Sequence, residues 1–133
     1  MVQATELLYL SIAEAGDLYR RKELSPVEHT RALIERAERL QDTLVPYVTM
    51  TPELALDQAR AAEAAFLSGD PARTASPLLG IPVAFKDIVM TKGIRTTCGS
   101  AVHEHWLPEF DAAVVERWRD AGTVMLGKLS THE

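Results

Sequence analysis

Apolar residues in the first half of the chain recur at helical spacing, and the ends of each periodic stretch are marked. Ser11-Ile12-Ala13-Glu14 has capping-box spacing, in which the serine hydroxyl accepts from one orphan amide while the glutamate reaches back for another. Ser25-Pro26-Val27-Glu28 repeats the device and puts proline at the first helical position, where its missing N–H costs nothing. Helices are predicted over residues 11–22 and 26–40. In the second, Val27, Leu33, Ile34, Ala37 and Leu40 form a stripe opposite Arg31, Glu35, Glu38 and Arg39, the pattern of a helix facing a core. Residues 45–50 lean towards β structure, and Thr51-Pro52-Glu53 opens a third helix with a cap, a proline and an early acid. That helix is alanine-rich through Ala64 and is expected to stop at Ser68-Gly69, where glycine can turn left-handed.

The pattern changes near residue 76, after a connector of Pro, Ser, Thr and Ala over residues 70–77. Gly80-Ile81-Pro82-Val83-Ala84-Phe85-Lys86-Asp87 is apolar and β-branched, with breakers only at its entrance, and reads as a strand. Residues 91–110 show no periodicity and hold Gly93, Gly99 and Pro108; structureless loops of such length are uncommon in compact domains and tend to be functional or mobile. Asp111 is then read as the cap of a helix running through Ala121, with Val114, Val115 and Trp118 on one face. Gly122 ends it, and residues 123–127 read as a second buried strand. Strand, long crossover, helix and strand together predict a βαβ unit and hence parallel pairing. The expected fold class is α/β, with N-terminal helices packed on a mostly parallel or mixed sheet. The organisation is one partial domain over 1–133, divided into a helical region, 1–75, and a strand-loop-helix-strand region, 76–133.

Composition narrows the function classes. A length of 133 residues with 47% hydrophobic content suits one domain and its core. The net charge of -5 argues against a nucleic-acid surface, which needs a basic patch. The longest apolar run, Pro77 to Phe85, is interrupted by Gly80 and Pro82 and is too short to span a membrane. Met1-Val2-Gln3-Ala4-Thr5-Glu6 lacks the basic start and apolar block of a secretory signal. Cys98 is the lone cysteine, so no internal disulfide can form and a cytoplasmic location is expected.

Lys86 is the residue that carries chemistry. It lies at the carboxyl end of its strand, where sites gather in parallel sheets. Pleat alternation puts Ala84, Lys86 and Ile88 on one face and Phe85 and Asp87 on the other, which makes Asp87 a poor partner for Lys86. A lysine in such a strand must reach water, pair with a carboxylate or lose its proton. Spacing alone leaves a structural ion pair, a catalytic base and a solvated strand-end lysine all open.

Ser76-Pro77-Leu78-Leu79-Gly80-Ile81-Pro82-Val83-Ala84-Phe85-Lys86-Asp87 resembles the opening motif of the amidase signature family. The wider order is similar too: a Ser-Pro-capped helix, an alanine-rich helix, this strand, Thr96-Thr97-Cys98-Gly99-Ser100, a helix with Val114-Val115 and Ala121-Gly122, then Gly127-Lys128-Leu129 running to His132-Glu133. The resemblance covers nearly all of the chain from Ser11 onward. It implies a triad of serine, cis-bonded serine and lysine, with Lys86 in the lysine position relaying protons through the bridging serine to the nucleophile. It implies a small-molecule amide substrate and no cofactor; no directly bound nucleic acid and no membrane are expected from the charge and the short apolar run. The two serines belong to a Gly- and Ser-rich segment downstream of Glu133, so these residues hold one catalytic part out of three and are expected to be inactive alone. Strands left without neighbours also predict poor stability, homo-oligomerisation or dependence on the missing C-terminal segment.

Other residues carry less. Ser100 belongs to the loop pattern after the lysine rather than to a nucleophile motif. His103-Glu104-His105, with His132 far off, alternates in a loop without a fourth ligand and is a weak metal site. Cys98 has no feature that marks activation and reads as a small loop residue. Trp118 reads as core, Trp106 as loop packing or an entrance wall, and Lys128, which follows the second strand, as a residue near the same edge as Lys86 or, with at least equal weight, as a surface residue. Two function classes fit: an amide-hydrolysing lineage, whether a hydrolase or the A-type component of a glutamine-dependent tRNA amidotransferase, and a non-catalytic scaffold or truncated product. Bare chemistry adds a Schiff-base lysine at a strand end.

Overall fold

The computed structural model describes residues 4–131, with side chains from Glu6 onward; His132 and Glu133, the end of the family-like pattern, lie outside the described residues. The helices are α1 (Ala4–Leu7), α2 (Ile12–Arg20), α3 (Pro26–Leu44), α4 (Pro52–Ser68) and α5 (Ala113–Asp120), and the strands are β1 (Tyr47–Met50), β2 (Pro82–Lys86) and β3 (Val124–Leu129). The Ser11 cap forms as read: its side chain accepts from the Glu14 amide and the Glu14 carboxylate takes the Ser11 amide. Ser25 caps α3 by accepting from Val27 and Glu28, but its own hydroxyl donates to Glu63 on α4. The cap therefore also ties two helices together. α3 runs one turn beyond its predicted end, to a left-handed Val45.

Two predicted caps do other work. Thr51 makes no cap bond to α4; its hydroxyl donates 2.9 Å to the Met125 carbonyl, fastening the start of the helix to β3. Asp111 stands one residue too early, because Ala112 is the N-cap of α5. Its carboxylate instead accepts from the Lys92 amide at 2.7 Å and pairs with Arg119. An acid here holds the long loop against the helix.

The sheet has the order β1-β3-β2, with β1 antiparallel and β2 parallel to the central strand. The predicted parallel pairing is present, and the sheet is mixed. Alanines at 55, 59, 62 and 65 on α4 are buried, and their helical spacing gives that helix a flat face of small side chains. Ile34, Ala55, Ala59, Val124 and Leu126 form the core between α3, α4 and β3. Leu7, Ala15, Tyr19, Leu24, Phe66 and Ile81 form a second cluster under α2. Trp118, read as core, is only half-buried, since α5 presents Val115 inward and leaves Val114 44% exposed.

One irregularity decides what the sheet presents. Val83 pairs with Met125 but Ala84 pairs with Gly127, so Leu126 has no partner on β2. An extra residue in one strand reverses the alternation beyond it. Lys128 therefore pairs with Phe85, and Leu129 with Lys86. The bulge turns Lys128 onto the face that carries Phe85 and Asp87.

Candidate active site around Lys86

Lys86 closes β2, and its side chain is exposed while the four residues before it are half-buried. After it the chain turns at once, with the Val89 amide donating 2.9 Å to the Lys86 carbonyl. The alternation predicted from the pleat is present: Lys86 faces out and Asp87 is fully buried. Asp87 is not its partner. One Asp87 carboxylate oxygen, Oδ2, accepts from the Thr97 amide at 3.0 Å and from the Thr97 hydroxyl, and the other, Oδ1, lies 3.9 Å from Lys128 Nζ.

Lys128 is the correction that matters most. Of the two readings of it, near the Lys86 edge or on the surface, the second fails: it has no exposed area. Its Nζ donates to the Val89 carbonyl at 2.7 Å and to Thr96 Oγ1 at 2.6 Å. Burial holds this amine below the ordinary lysine value, against an opposing pull from the Asp87 carboxylate, as desolvation of a cation requires. Oδ1 of Asp87 accepts no hydrogen bond among the described residues. The pair is thus electrostatic, and most of the fixing comes from the threonines and the carbonyl. A signal exists in the sequence, since a lysine inside Val124-Met125-Leu126-Gly127-Lys128-Leu129 is as misplaced as one after Phe85. Ending the strand at Gly127 hides it, whereas β3 runs to Leu129.

The long loop is ordered by this node. The Cys98 amide donates to the Asp87 carbonyl at 2.9 Å, and Cys98 takes a left-handed φ of 54° followed by Gly99 at 70°. Arg95 reaches back to the Val48 carbonyl and Thr49 on β1. Ser100 caps a single 3₁₀ turn, Ala101–His103, by accepting from Val102. His103 packs beside Trp106 at 5.3 Å between ring centroids, and exposed His105 lies 3.9 Å from Glu104. Among the described residues no three of His, Cys, Asp and Glu gather in the manner of a metal site. A cavity of about 240 Å³ lies on the Phe85 and Met125 face, walled by Leu54, Ile94, Val115 and Arg119. Lys86 does not line it.

A profile of the amidase family matches residues 28–133, which include the whole of β2, its turn and the Lys128 strand. This chain belongs to the amidase family. Among its curated relatives, the A-type component of glutamyl-tRNA(Gln) amidotransferase from Moorella thermoacetica is 47% identical over 128 residues, 96% of this chain and 26% of that protein. Its counterpart of the same name from Methylococcus capsulatus is 48% identical over 123 residues, 92% of this chain and 24% of that protein. The chain thus spans about a quarter of the length of the curated relatives it matches. A solved peptide amidase from Stenotrophomonas maltophilia is 31% identical, with a TM-score of 0.82 over 91% of this chain and 24% of that one. Fatty acid amide hydrolase, 22% identical, has a TM-score of 0.87 over 99% of this chain and 23% of its own, a likeness of fold. The helices and mixed sheet form part of the α/β fold of these amidases. Among the described residues no helix is long and apolar enough to cross a membrane.

Proposed function

We propose that these residues form the lysine-bearing N-terminal part of an enzyme that cleaves amide C–N bonds, with Lys86 as its base. The observation that carries this reading is the position of Lys86, alone among the β2 residues in being exposed, at the carboxyl end of a strand that pairs in parallel. Its side chain is exposed at the strand end, while the neighbouring Asp87 is sealed against Thr97 and Lys128. In this reading the Lys86 amine takes a proton relayed by a bridging serine from a nucleophilic serine, both supplied by a downstream segment. A bond forms between the serine oxygen and the amide carbon, and the C–N bond breaks as the leaving nitrogen is protonated. Water then releases the acyl group as acid and regenerates the serine. Residues 1–133 by themselves turn nothing over, because they hold the base without the nucleophile.

A second reading is favoured by the identity to the A-type amidotransferase components: the amide would be glutamine, and the released ammonia would pass to an acceptor on a partner protein. Both readings use the same base. The test supplies the serine-bearing segment and measures ammonia released from simple primary amides and from glutamine. Lys86→Ala is expected to lower turnover on the preferred amide by about 100-fold or more, the range for loss of a positioned acid–base group. Activity that survives the substitution overturns the role of Lys86, and the choice between simple amides and glutamine separates the two readings.

A further inference from the structure

The turn after Lys86 is held at more points than a strand end needs. Its own bond is Val89 N–H to the Lys86 carbonyl; beyond that, Asp87 N–H donates to Leu129, Cys98 N–H to Asp87, and Ala112 N–H to Met90, all at 2.8–2.9 Å. The Val89 carbonyl accepts at 2.7 Å from the buried Lys128 amine, which also holds Thr96, and at 3.1 Å from the Thr91 hydroxyl. Thr97 and Asp87 complete the node from the loop side. A solvated turn leaves its carbonyls to water; here a buried lysine serves one, and such burial is costly unless the amine is paired and hydrogen-bonded, as Lys128 is to Val89, Thr96 and Asp87.

We propose that Lys128, with Asp87, Thr96 and Thr97, is a positioning cluster that clamps the 86–89 turn from the Asp87 face of the sheet and so fixes where the Lys86 amine stands at the exposed strand end. Lys128 touches no reacting atom in this arrangement. It acts through the backbone: a shift of the Val89 carbonyl moves the turn that begins at Lys86, and a displacement near 1 Å at a reacting group can cost about 100-fold in rate. The bulge at Leu126 is what lets β3 deliver the second lysine to this face. The inference rests on the reading of Lys86 as base.

Two measurements test it. In the chain itself, amide hydrogen exchange compares Val89 N–H, bonded within the turn, with Val124 N–H, bonded to Ile81 at the far end of the strand pair. Lys128→Met is expected to speed exchange at Val89 at least about 10-fold more than at Val124. Thr96→Val, a milder change that keeps the fold if Lys128→Met does not, is expected to do the same to a smaller degree. Equal acceleration at both amides, or none, overturns the clamp and leaves only general packing. In the active assembly with the serine segment, Lys128→Met is expected to lower kcat about 10- to 100-fold, as loss of an outer-shell support does, with KM within about twofold. An unchanged kcat per folded molecule overturns the positioning role. Activity retained by Lys86→Ala would instead sink the catalytic reading of Lys86, a failure that the exchange data keep distinct from failure of the clamp.

Discussion

Lys86 and Lys128 occupy neighbouring strand ends, yet one is exposed and the other is sealed. Chain position does not separate them; the face each side chain meets does. The histidine under α2 shows the same dependence. His29, 4% exposed, has Nδ1 2.6 Å from the Tyr19 hydroxyl, and burial lowers its proton affinity from the usual 6.5, against weaker opposing pulls from a Leu7 backbone hydrogen bond and from Glu28. An unfolded histidine therefore takes up a proton as pH falls through about 6.5 while the folded one refuses it, so stability falls with pH until the depressed folded value is reached. Denaturation midpoints measured between about pH 7.5 and about pH 5 are expected to decline, and His29→Gln to flatten that decline while lowering the midpoint at the upper end. A His29→Gln profile as steep as that of the parent would remove His29 as the cause. What the sequence displayed at this scale was the alternation of Lys86 and Asp87 and the caps at Ser11 and Ser25, because those depend on residues within a helical turn of each other. It could not display the ionic partner of Asp87, Lys128, which lies far along the chain, beyond an irregularity that alternation does not announce.

Elements follow the same division between local and distant causes. The ends of α2 and α4 were legible, since a capping box and a left-handed Gly69 are short-range chemistry. Thr51 and Asp111 misled because a side chain that can cap can equally bridge, and each found a bond across the fold. Gly127 carries the largest burden of any glycine in the sheet. Its φ is 151°, and a Cβ there would lie 2.3 Å from the Thr49 carbonyl and 3.0 Å from Met50 Cα. Backbone cannot yield as a flexible side chain does, so Gly127→Ala is expected to cost roughly 3 kcal/mol in chemical denaturation. Gly69→Ala, with open space around it and φ of 71°, is expected to cost about 1 kcal/mol. Similar losses at the two sites would show that the β1–β3 contact does not need a glycine.

In the molecule as a whole, β2 is an outer strand of the described sheet, and an apolar trough lined by Val83, Ala84, Phe85, Val114 and Trp118 runs along it. Exposed strand edges with apolar flanks recruit other chains. Residues 1–133 produced alone are expected to sediment with a mass that rises with concentration, and Val114→Lys, adding a charge beside the edge, to reduce that rise. A monomer unaffected by concentration would mean that the trough is closed in solution. The layered character of the fold was readable in advance, because alternating helical and strand-like periods demand helices on a sheet. The division of labour between the sheet's two sides was not, since it comes from one unpaired leucine. Its consequence is tolerance: with Lys86 as the proposed base, the strand end that bears it can be recut by whatever segment lies over it, while the fasteners on the Asp87 side stay as they are.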